Sequence, residues 1–96
     1  MDFEIIWTSK SHEDILSIYN YISNKISIET AVKIIDEIYE TPSKIKYPEQ
    51  FQTDEYREDC RRIIVRNYKI LYHIKGNTIY IIRIFNTYQN PTKSLL

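Results

Sequence analysis

Ninety-six residues suffice for one domain that buries a modest core without a metal or disulfide staple, and a single cysteine, Cys60, excludes an intrachain disulfide. At 43% hydrophobic and 27% charged the composition is ordinary for a soluble globular chain, and no apolar run approaches the roughly 18 residues of a membrane span. The net charge of zero conceals a division. Thirteen acids and six Lys/Arg over positions 1–59 give −7, whereas seven Lys/Arg and no acid over 60–96 give +7. Such asymmetry predicts an anionic partner for the basic half, unless the two halves pair with each other across the fold. Cysteine usage places the chain in a reducing cytoplasm, and the opening "DFEIIW" is too short and too acidic for a signal peptide.

Phe3 to Thr8, with "EIIW" at its centre, predicts a first strand. Ser11-His12-Glu13-Asp14 reads as a capping box, a hydroxyl followed three residues later by a carboxylate. Behind it Ile15, Ile18, Tyr19, Ile22 and Ile26 recur at helical spacing and predict an amphipathic helix over 10–25. Ser27 is placed to cap a second helix, whose apolar stripe is Ile28, Ala31, Ile34, Ile35 and Ile38. Pro42 predicts an end near Thr41, since a residue before proline avoids the α region, and "SKIK" adds a turn. Residues 47–59, "YPEQFQTDEYRED", read as a polar connection with five acids and one arginine.

From Cys60 the pattern changes to strands over Arg61–Val65, Tyr68–Lys75 and Thr78–Phe85. Gly76-Asn77 suits a type II′ hairpin, because glycine at the first central position accepts positive φ without steric cost. Arg66-Asn67 is a second, weaker turn, and Asn90-Pro91 marks an irregular tail. The order β-α-α-β-β-β predicts an α+β domain, two helices packed on one face of a small mixed, mainly antiparallel sheet. Pairing the last strands about Gly76-Asn77 puts Tyr68, Ile70, Tyr72, Ile74, Ile79, Ile81 and Phe85 on the helix side, with Ile63 and Val65. The other face then shows Arg62, Ile64, Lys69, Leu71, His73, Lys75, Tyr80, Ile82 and Ile84. A face half apolar and half basic predicts a covering partner.

These residues resemble a known family. A strand ending in Trp7, helices reading "EDILSIYNYI" and "AVKIIDEI", and then "RRIIVRNYKILYHIKGNTIYIIRIFNTYQNP" look like the RelE/ParE toxin superfamily, over nearly the whole chain. The most specific part is "NYKILYHIKGNTIYIIRIF", with its tyrosine-rich strand, glycine turn and late-strand arginine. The resemblance implies the toxin half of a type II toxin–antitoxin pair, neutralised by a small antitoxin whose acidic or amphipathic segment wraps the toxin. On that reading Lys69, Leu71, His73, Lys75, Tyr80 and Ile82 are the candidate antitoxin-binding residues.

Two activities are open within the superfamily. RelE-like members cut messenger RNA on the ribosome, which needs cations for the phosphorane-like charge and proton-transfer groups on either side of it. For that chemistry Arg62, Arg66, Arg83 and Tyr88 are the candidate catalytic residues, with His73 as a further proton-transfer candidate. ParE-like members act on DNA gyrase by protein binding. The near-neutral chain, the acidic "EQFQTDEYRED" that would repel RNA, and the "R-IF" ending of the last strand look closer to this second class. Neither activity calls for a cofactor, and no His/Cys/Asp cluster has the spacing of a metal site. Arg83 lies on the otherwise apolar face, where it either snorkels from the core margin or reaches a carboxylate such as Asp59. Cys60 reads as structural, and Trp7 as closing the core.

Overall fold

The computed structural model describes residues 3–88, so the turn expected at Asn90-Pro91 lies outside the described residues. Strand β1 (Glu4–Trp7) leads into helix α1 (Ser9–Lys25) and helix α2 (Ile28–Glu40), followed by a 3₁₀ turn (Thr41–Lys44). Strands β2 (Arg61–Val65), β3 (Tyr68–Lys75) and β4 (Thr78–Asn86) complete one sheet in the order β1-β4-β3-β2. β1 runs parallel to β4 and the other pairs are antiparallel, so the sheet is mixed, as expected.

The helices start where hydroxyl caps stand. Thr8, in extended backbone, accepts a hydrogen bond from the Ser11 amide, and Ser27 accepts one from the Thr30 amide. The first of these corrects the capping box expected at Ser11. Ser11 already lies inside α1, where its hydroxyl donates to the Thr8 carbonyl at 2.7 Å, and the Asp14 carboxylate is committed elsewhere. Pro42 ends the α-helix, and the added turn forms over "TPSK" rather than "SKIK".

One core joins the helices to the sheet: Ile15, Ile18 and Ile22 of α1 and Ala31, Ile34, Ile35 and Ile38 of α2 against Ile63, Tyr68, Ile70, Tyr72, Ile79, Ile81 and Ile84. Gly76 has φ +62°, and Asn77 is not among the positive-φ residues, as a type II′ turn requires. The expected strand faces need one correction. Leu71 pairs with Arg83 but Tyr72 pairs with Ile81, so Ile82 is an extra residue in β4, a β-bulge. A period of two cannot continue across an inserted residue. Ile84 therefore turns into the helix-side core opposite Ile70, while Phe85 turns to the back of the sheet opposite Lys69.

Candidate functional site

The back of the sheet, which the sequence predicts to be half apolar, half basic and in need of a cover, is partly covered by the chain itself. The acidic connection crosses the β2 edge from one face to the other. Phe51 meets Tyr72 edge-to-face on the helix side, with ring centroids 6.4 Å apart. Thr53 bridges to Arg61, and the Asp54 amide donates to the Cys60 carbonyl at 2.9 Å. Beyond that point Asp54 lies buried against the back of the sheet. Its carboxylate accepts from Lys69 Nζ at 2.7 Å and from the Tyr56 and Arg57 amides at 3.1 and 3.0 Å, with Arg62 at 3.7 Å.

A carboxylate removed from water needs such a set of donors, because its desolvation otherwise exceeds any single attraction. Lys69 in turn lies over the rings of Tyr56 and Phe85 at 5.1 and 5.3 Å. Lys69 is only 4% exposed and Leu71 is fully buried. The expectation of an outward Lys69-Leu71-His73-Lys75 stripe is therefore corrected. Only its distal half faces solvent, because the acidic strap covers the proximal half.

The remaining candidates sit as follows. His73 is exposed, and its Nδ1 lies 2.9 Å from the Asp59 carbonyl; a carbonyl only accepts, so this contact places a proton on Nδ1. Lys75 is exposed beside the hairpin turn, and Tyr80 and Ile82 are half-buried. Arg62, Arg66 and Tyr88 line one open cleft of about 360 Å³ together with Glu55, Tyr56 and Lys69. Arg66 occupies positive φ (56°), uncommon for a residue with a side chain, and its guanidinium grips Glu37 of α2 through Nε and Nη2. That pairing holds the Glu37 carboxyl below the usual carboxylate range.

Arg83 is not part of this cleft. It reaches Asp14 of α1, Nε to Oδ2 at 2.9 Å and Nη2 to Oδ1 at 3.1 Å, and Asp14 Oδ2 also accepts from the Ile84 amide at 2.9 Å. The partner expected for Arg83, Asp59, is held instead by Arg57. Asp14 stands where β1 has ended at Trp7 and β4 runs on, so a side chain supplies the acceptor that a longer β1 would have given. Thr8 works in the same way, its hydroxyl donating to the Ile81 carbonyl at 2.7 Å.

The basic half is thus met by carboxylates of the acidic half: Arg62 and Lys69 by Asp54, Arg66 by Glu37, and Arg83 by Asp14. Sequence reasoning named the cations and missed these three acids. The one available signal was the charge division itself, read as two halves that neutralise each other. Burial pushes the Cys60 thiol up to about 11, which suits a structural role. Among the described residues no group of three or more His, Cys, Asp or Glu is placed to hold a metal ion, and no helix is long and apolar enough to cross a membrane.

Solved structures share this fold. The chromosomal ParDE toxin–antitoxin system of P. aeruginosa contains a chain that superposes with a TM-score of 0.75 at 22% identity, covering 88% of this chain and 95% of that one. The RelBE2 toxin–antitoxin complex of Mycobacterium tuberculosis gives 0.65 at 15% identity over 90% and 92% of the two chains. A double-arginine mutant of E. coli RelE in the free state gives 0.53 at 14% identity over 98% and 93%. No curated protein matches in sequence. The model of the family described as the ParE toxin of the type II toxin–antitoxin system parDE matches residues 5–91, nearly the full length, and the chain belongs to that family.

Proposed function

We propose that this toxin acts by binding a protein, DNA gyrase, and stabilising its broken-DNA state, and that a cognate antitoxin made beside it in the cytoplasm keeps it silent. The observation that carries this reading is the engagement of the candidate catalytic arginines. Arg62, Arg66 and Arg83 each lie against a carboxylate, and a guanidinium so neutralised has little charge to offer a phosphorane-like transition state. Family membership points the same way. The antitoxin is inferred from the complexes in which the similar chains of P. aeruginosa and M. tuberculosis are found. Its contacts fall on the back of the sheet left open by the strap, at His73, Lys75, Tyr80 and Ile82. Lys69 and Leu71 take part only if the strap lifts.

One observation favours a second reading, a ribosome-dependent endoribonuclease. Arg62, Arg66 and Tyr88 do share a cleft, and binding to RNA could exchange Glu37 for a phosphate at Arg66. Controlled expression with parallel measurement of DNA breaks and transcript integrity separates the two. Gyrase-dependent breaks and an SOS response with intact transcripts are expected. Codon-edge cleavage of messenger RNA with intact DNA would overturn the gyrase reading.

A further inference from the structure

Helix α2 carries more apolar surface than its core contacts use. Ile34, Ile38, Ala31 and Ile35 are buried and occupy an arc of about 100° on the helical wheel. Ile28, Tyr39 and Val32 continue that arc for roughly another 60° yet are 60%, 40% and 45% exposed. Leu16 of α1, on the flank away from the Asp14, Ser17 and Tyr21 positions that face β4, is also exposed, as is Ile26 just past the end of that helix. The ring of Trp7 meets Tyr39 at 4.8 Å and anchors one end of the stripe. Next to the stripe on the α2 wheel come the exposed Asp36, Glu29 and Glu40 in unbroken succession, and the cation Lys33 stands beyond them, farther from the stripe.

We propose that this outer seam of the helical hairpin is the toxin's contact with its target, and that its occupant is an amphipathic helix of the target protein flanked by Lys or Arg. The proposal rests on the protein-binding reading above. An apolar stripe along one helix, rimmed by acid, complements a helix with an apolar face and basic flanks. An acidic antitoxin segment would meet like charge there. A second copy would also set acid against acid, because a two-fold interface brings the same patch to itself. The exposed apolar area, on the order of 500 Å², also falls short of the roughly 800 Å² per partner of a stable interface, but it suits one docked helix as part of a larger contact.

The test pairs the wild-type toxin with the Ile28→Glu/Val32→Glu variant, two exposed positions, after circular dichroism has shown both to be folded. Two synthetic helical peptides with identical leucine faces, one flanked by Lys and one by Glu, probe the seam without reference to any target. The Lys peptide should bind wild type at least tenfold tighter than the Glu peptide, and that preference should vanish in the variant. Equal binding of the peptides, or binding kept by the variant, overturns the proposal. A milder variant, Val32→Ser, stands in should the double variant unfold, with a threefold or greater loss expected.

In a second arm, purified gyrase is assayed for toxin-dependent DNA cleavage, and antitoxin affinity is measured by calorimetry. Cleavage lost at least tenfold with antitoxin affinity unchanged within twofold supports target contact through the seam. Antitoxin affinity lost with cleavage kept overturns it. Absence of cleavage by wild-type toxin refutes the gyrase reading alone, and the peptide arm then still decides whether the seam takes a basic helix.

Discussion

Replacing Asp14 with alanine tests the idea that one carboxylate finishes the edge of β4. The change removes the acceptor of the Ile84 amide and strands Arg83, whose side chain is 16% exposed against 15% for Asp14. Breaking a largely buried ion pair from one side costs about 3 kcal/mol, and the orphaned amide adds about 1 kcal/mol. Against a total stability of about 5–15 kcal/mol this is a large share. With an m-value near the low end of the range for small domains, the urea midpoint should fall by about 2–3 M.

Asp14→Asn keeps an acceptor for the amide and should lose about 2–3 kcal/mol, most of it the charge. Arg83→Met combined with Asp14→Ala removes both partners and should be less damaging than the single changes predict, with a coupling energy of about 2 kcal/mol. Equilibrium urea unfolding followed by circular dichroism on wild type, Asp14→Ala, Arg83→Met and the double variant supplies the cycle. A cost below about 0.5 kcal/mol for Asp14→Ala, or a coupling near zero, would refute the reasoning. Arg83→Ala should lose stability as well, because the arginine ties α1 to the sheet, so a toxicity assay of that variant needs urea unfolding beside it.

The other predictions concern single groups. The hydroxyl of Tyr72 is buried without a hydrogen-bond partner among the described residues, so Tyr72→Phe should leave stability unchanged or raise it by up to about 1 kcal/mol; a loss of that size in urea titrations would show that the hydroxyl is bound. Cys60, with its thiol pushed up to about 11, should react with a thiol reagent at pH 8 roughly 100-fold more slowly than in urea, and rapid labelling of the folded chain would contradict its burial. Because Arg66 depresses the Glu37 carboxyl, this pair contributes above the ordinary glutamate range near pH 4.5 and is lost as pH falls through the lowered folded value. A carboxyl NMR titration should place Glu37 below the ordinary glutamate range, and Arg66→Ala should return it to that range; an ordinary midpoint for Glu37 in the wild-type chain would count against the pairing.

Much of the fold was legible in the sequence, and for a local reason. Isoleucine spacing fixes which faces of α1 and α2 turn inward, Ser27 supplies a cap within three residues, and Gly76 is the residue that a tight II′ turn accepts. Each of these depends on contacts a few residues apart. The Ile82 bulge was not legible, since an inserted residue leaves the alternation plausible on either side and only pairing with β3 exposes it.

The partners of the cations were equally hidden. Asp14 meets Arg83 from 69 positions away, Glu37 meets Arg66 from 29, and Asp54 meets Lys69 from 15. From the chain alone the charge division determined that the basic half required anions. Tertiary structure decided that many of those anions are the protein's own. An ion pair is set by distance and desolvation in three dimensions, and no periodicity along the chain records either.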